Sequence, residues 1–163
     1  MVRAEFTFRE EPKEEDRGMI QRIRATTAVA VHVRRGDYVS EPSTHAVHGT
    51  CALDYYERAA QLIAAQSEHP HFFVFTDDPA WARAHLQLPF PSTLVSETVG
   101  ERDCEDLRLM SRCQHFIIAN SSFSWWGAWL GSHPGKVVVA PQRWFATDVH
   151  DTRDIVPPGW TRL

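Results

Sequence analysis

Apolar residues along the chain fall into two rhythms. Five short runs are compact and rich in β-formers: residues 29–33 (VAVHV), 71–75 (HFFVF), 93–95 (TLV), 115–119 (HFIIA) and 136–140 (KVVVA). Their length and bounding turn formers predict buried strands. Between them the apolar positions recur at helical spacing. Met19, Ile20 and Ile23 mark a helix over 14–25, and Tyr55, Ala59, Leu62 and Ile63 mark another over 54–66. Asp78-Pro79 caps a helix that continues through residues 81–86. Gly100 to Asp103 opens a helix that points Leu107, Met110 and Cys113 inward, and SWWGAWL opens the last after a hydroxyl-rich turn. Residues 40–50 show no apolar period and read as a loop; Phe6 and Phe8 alternate with polar neighbours, as in an edge strand. From Ala146 onward the chain is polar and proline-rich and reads as a tail packed on the rest.

Alternation of helices and strands predicts an α/β fold, a Rossmann-like open and mostly parallel sheet with right-handed crossovers. Residues 1–27 then form an entry segment and amphipathic helix, 28–145 the Rossmann-like unit, and 146–163 the tail. Four polar turns follow strand ends: RRGD, TDD, NSSFS and PQRWF. In an open α/β sheet those ends share one edge, where ligands bind.

Each turn has a chemical reading and a plainer one. Arg34 and Arg35 follow a buried strand; paired guanidiniums suit a diphosphate, or form a solvated basic pair. Ser121, Ser122, Phe123 and Ser124 stand at a helix mouth whose free N–H groups suit an anion, or the hydroxyls only cap the helix. Asp77 suits a ribose hydroxyl or the bracing of Arg34, and Asp78 a cap. Trp125, Trp126, Trp129 and Leu130 read as core residues. His45 and His48 lack further ligands for a metal, and adjacent carboxylates make a poor cage, so a site without metal is expected.

Composition narrows the class. The 163 residues carry a net charge of −4 with both signs interspersed, 43% hydrophobic and 23% charged residues. That suits one soluble core and no nucleic-acid partner. No apolar run approaches the ~20 residues of a membrane span, and the amino terminus lacks a secretory signal, so a cytoplasmic protein is expected, with peripheral membrane association open. Three cysteines without CxxC spacing read as reduced packing residues.

HVRRGDY, FTDDPAWA and DLRLMSRCQHFIIANSSFSWWGAWLG, followed by VVVAPQRWF, resemble the α-1,2-fucosyltransferases of glycosyltransferase family 11, bacterial type, over residues 5–145. The resemblance implies the nucleotide-sugar half of an inverting, metal-independent GT-B enzyme that needs no cofactor. It implies GDP-fucose as donor and a galactoside or other glycan as acceptor, with transfer to the 2-hydroxyl. It also implies that His32 and Asp106 contact guanine, Asp106 by the acid's offset before the SS turn; from the residues alone His32 reads equally as a buried strand histidine and Asp106 as a solvated helix carboxylate. Arg34, with Arg35 and the N–H groups of Ser121 to Ser124, would stabilise the departing phosphate. Asp37 is the nearest base for the acceptor hydroxyl, or a brace for an arginine. The family's substantial N-terminal half has no counterpart before Arg34, so the other readings are a truncated, non-catalytic GDP-sugar-binding module or an inverting transferase of different linkage.

Overall fold

The computed structural model describes residues 5–96 and 102–163. Helix α1 (Glu14–Arg24) leads into β1 (Thr27–Val33), and two short helices, α2 (Gly36–Ser40) and α3 (Pro42–His48), follow it. Then come α4 (Leu53–Ala64), β2 (Pro70–Thr76), α5 (Pro79–His85) and β3 (Ser92–Leu94). Helix α6 (Asp103–Ser111), β4 (His115–Ile117), α7 (Ser122–Leu130), β5 (Val138–Ala140) and β6 (Thr161–Arg162) complete the described elements. The helix start expected at Gly100 lies outside the described residues.

Among the described residues, six strands form one sheet in the order β3-β2-β1-β4-β5-β6, and every pairing is parallel. The chain runs outward from β1 to β3, then returns to lay β4 on the other side of β1. Strand order therefore reverses between β1 and β4, the place where an open α/β sheet leaves a crevice. The expected α/β, Rossmann-like sheet is the observed one.

Both faces of the central strands are covered, which is why these strands are nearly continuously apolar. Val29, Val31 and Val33 pack under α4 against Tyr55, Tyr56, Ala59 and Ile63. Ala28 and Ala30 lie on the opposite face with Phe73, Phe75, Phe116 and Ile118, beneath Ile20, Ile23, Leu109 and Met110 of α1 and α6. Buried phenols meet their hydrogen-bonding need inside this core. The Tyr55 hydroxyl lies 2.7 Å from the Ile118 carbonyl oxygen and 3.1 Å from that of Val139.

Three local expectations are corrected. Residues 40–50 are largely helical: Pro42 opens α3, where a missing N–H costs nothing, and the His45 ring nitrogen sits 2.7 Å from the Tyr38 carbonyl. Phe6 and Phe8 form no strand. Phe6 instead sets its ring 5.1 Å from Trp126, and Phe8 lies under the Arg108 guanidinium at 4.6 Å. The tryptophans of α7 are half-buried, while its fully buried positions are Ser124, Gly127 and Ala128. Small residues thus let α7 approach α6 and the sheet, and its indoles bind the chain ends. Trp125 donates its indole N–H to Ile155 at 2.7 Å and packs on Trp160, just before β6.

Candidate active site

Above the C-terminal ends of β1 and β2, beside the point where β1 and β4 part, an open cleft of about 310 Å³ is lined by His32, Arg34, Gly36, Asp37, Phe75, Thr76, Asp77, Arg102, Asp103, Asp106 and Phe123. Six residues anticipated from sequence meet there: His32, Arg34, Asp37, Asp77, Asp106 and Phe123. They come from β1 and its turn, the turn after β2, helix α6 and the mouth of α7.

Arg34 is placed by carboxylates on two turns. Its Nη2 donates to Asp37 at 2.7 Å, and its Nη1 pairs with Asp77 at 3.1 Å. Asp77 is fixed in turn by accepting the Arg35 backbone N–H at 2.8 Å. Gly36 makes this closeness possible, because a Cβ there would lie 2.6 Å from the Asp77 carboxylate. The guanidinium still has its Nε buried without a hydrogen-bond partner among the described residues. It is held in place yet not saturated, which leaves hydrogen-bonding capacity for an anion.

Arg35 turns elsewhere. Its guanidinium lies 3.8 Å above the Trp81 ring and 3.5 Å from Asp78, whose other carboxylate oxygen caps α5 by accepting from Trp81 N–H. The geometry gives Arg35 a cation–π seat on α5 rather than a place on the cleft wall.

His32 is 3% exposed, and burial, then the nearby Arg34 cation, lowers its pKa from 6.5 to about 3. The ring is neutral at ordinary pH and rests 5.2 Å from Phe123. Its Nδ1 is buried without a partner among the described residues. Asp106 shows the same trait at the other end of the cleft. Ser96 donates its hydroxyl to Asp106 Oδ2, while the buried Oδ1 accepts no hydrogen bond among the described residues. Burial raises this carboxyl's pKa, and Ser96 and Arg102 oppose the rise. Unsatisfied buried polar atoms are costly, and their clustering here makes this cleft the candidate ligand site.

The mouth of α7 is open in an informative way. Ser121 occupies the N-cap position but makes no side-chain capping bond. Ser124 turns its hydroxyl back to the Ala119 and Ser121 carbonyls, and Asn120 donates to the His48 and Trp144 carbonyls. Ser122 is exposed. Among the described residues the side chains thus leave the first-turn N–H groups uncapped, and of this turn Phe123 lines the cleft while Ser121, Ser122 and Ser124 do not. Arg143, after β5, lies apart from this cleft: it bonds Ala146 and Asp148 and lines a neighbouring hollow.

Arg102, Asp103 and Thr76 line the cleft without having been anticipated from sequence. Arg102 carried one readable signal, since it stands four residues before Asp106 and so shares its helix face. Among the described residues no group of three or more His, Cys, Asp or Glu side chains is arranged to hold a metal ion, and no helix is long and apolar enough to cross a membrane.

An alpha-1,2-colitosyltransferase of Escherichia coli is 39% identical over 142 residues, covering 86% of this chain and 49% of that protein. The Escherichia coli O-antigen biosynthesis glycosyltransferase WbnK is 40% identical over 117 residues, or 72% of this chain and 39% of the relative. A galactoside 2-alpha-L-fucosyltransferase, SEC1 of Bos taurus, is 28% identical over 132 residues, spanning 77% of this chain and 36% of its own length. The chain therefore spans about half, or less, of the relatives it matches. The model of glycosyl transferase family 11 matches residues 3–163, and the chain belongs to that family.

Proposed function

We propose that this chain binds GDP-fucose in the cleft above β1 and β2 and serves the inverting, metal-independent transfer of fucose to the 2-hydroxyl of a galactoside. Relatives named as fucosyl- and colitosyltransferases support the reaction class. The observation that carries the binding reading is the convergence of Arg34, Phe123 from the start of α7 and two buried polar atoms without a partner among the described residues, His32 Nδ1 and Asp106 Oδ1, on one cleft.

In this reading guanine lies toward Asp106 and His32, and the diphosphate between Arg34 and the α7 N–H groups. The acceptor oxygen attacks the anomeric carbon as the bond from that carbon to the β-phosphate oxygen breaks, and GDP departs with the electron pair. Arg34 and the helix mouth offset the charge that develops, and one such donor contributes about 3–4 kcal/mol at a transition state. Asp37 is already tied to Arg34 at 2.7 Å. Its first role here is to aim that guanidinium, and taking the acceptor's proton is secondary.

Calorimetric titration with GDP tests the pocket. Arg34→Ala should weaken GDP binding roughly 10- to 100-fold; binding indifferent to Arg34, or none by the unaltered protein, would defeat the proposal. Release of GDP from GDP-fucose in the presence of lactose, against its absence without acceptor, separates transfer from binding alone.

A further inference from the structure

The carboxylate at the far end of the cleft is mounted with more care than a solvent-facing helix residue needs. Asp106 is 9% exposed, and Ser96 holds its Oδ2. Ser96 is itself fixed, its hydroxyl oxygen accepting the Thr76 backbone N–H at 3.2 Å, so the carboxylate is registered to the end of β2. On the other side Arg102 places its Nε 4.0 Å from Asp106 Oδ1. Arg102 does not hang free: Nη1 lies 2.5 Å from Glu15, and Nη2 bonds Asp16, an α1 carboxylate that is 2% exposed. An arginine anchored on a separate helix thus flanks the Asp106 oxygen that accepts no hydrogen bond among the described residues.

We propose that Arg102 and Ser96 are positioning residues that keep Asp106 oriented and negatively charged as a pure acceptor, and that this sets a preference for a purine base with two adjacent N–H donors. The inference rests on the GDP reading above and adds what enforces the choice of base. Burial works against the charge on Asp106, and so do Asp103 of α6 and Asp16 of α1; Ser96 and Arg102 are the groups that favour it. Across the cleft stand neutral His32, the Arg34 cation and Asp77. A carboxylate takes two N–H donors, whereas a protonated carboxyl carries a donor of its own and loses one of them. Arg102 therefore acts on base recognition through Asp106.

The test compares GDP with inosine diphosphate, which lacks the exocyclic amine, by calorimetry between pH 5.5 and 8. The unaltered protein should favour GDP by about tenfold, the worth of one charge-assisted hydrogen bond. Arg102→Gln should shrink that ratio and cut GDP affinity by up to about tenfold, most at the acid end of the range, with the deficit closing as pH rises. Ser96→Ala should move both readings the same way by less, and Arg102→Lys should retain most of the preference. Either Arg102→Gln or Ser96→Ala suffices if the other does not fold. An unchanged GDP-to-inosine ratio and pH onset would overturn the inference while leaving GDP binding intact, and so would an equal loss for both nucleotides at every pH. Failure of the unaltered protein to bind GDP would defeat both readings together.

Discussion

His32 shows how one buried side chain links recognition to stability. The folded protein keeps it neutral down to about pH 3, whereas an unfolded histidine takes a proton near 6.5. Between those values the unfolded chain binds more protons, so stability rises with pH and is lost as the pH falls through this window. From pH 6.5 to 4.5 the loss should be about 2–3 kcal/mol. Burial also lowers the pKa values of His71 and His115, which act in the same direction. Urea unfolding of the unaltered protein and of His32→Leu checks this: the variant should lose distinctly less stability over the same range, and an equal loss would refute it. Gly36 tests the arginine mount. A methyl group there meets the Asp77 carboxylate at 2.6 Å and must displace it from both Arg34 and the Arg35 N–H. Gly36→Ala should cost about 1–3 kcal/mol by urea unfolding and weaken GDP binding as well. The chain itself could not separate Arg34 from Arg35. Both follow the same strand, and what divides them is Asp77 capturing the Arg35 backbone and Trp81 offering a ring, contacts made across 42 or more residues.

The strands and longer helices were readable because each reports its own surroundings. The run at 29–33 is apolar at successive positions since β1 is covered on both faces, and the helix over 54–66 shows a stripe since only one of its faces meets the sheet. Helices α2 and α3 were hidden for the converse reason: only Tyr38 is buried between them, so no apolar period announces them. The role of α7 was half visible. Its indoles look like core in sequence, yet the close contacts fall to glycines. A Cβ at Gly131 would sit 2.4 Å from the fully buried Phe116 ring, and one at Gly127 would meet the Met110 methyl at 3.0 Å. The rigid ring cannot give way, whereas the methionine tip can turn aside and the Met110 Cβ, at 3.2 Å, is only slightly crowded. Gly131→Ala should therefore cost about 1–3 kcal/mol and Gly127→Ala distinctly less, as read from urea midpoints. Equal costs would contradict this account of how α7 is seated.

Across the whole molecule, the order β3-β2-β1-β4-β5-β6 brings the β1 turn, the β2 turn and the start of α7 to a single rim. Parallel strands separated by helices already implied that rim. Arg102 was beyond reach of the same logic, because its place depends on α1 packing against α6 and offering Asp16, a contact between residues 86 apart. The sixth strand was likewise concealed in a polar tail: Thr161 and Arg162 pair with Val139 and Ala140 by backbone alone, and the apolar support comes from Trp160 and Val156. Backbone amide resonances followed by NMR during a GDP titration report where the nucleotide sits. The largest shifts should fall on Arg34 to Gly36, on Ser121 to Ser124 and around Asp106, with Arg143 and the neighbouring hollow unmoved. Shifts centred on that hollow, with the amides after β1 and at the α7 mouth unchanged, would contradict the assignment of the cleft.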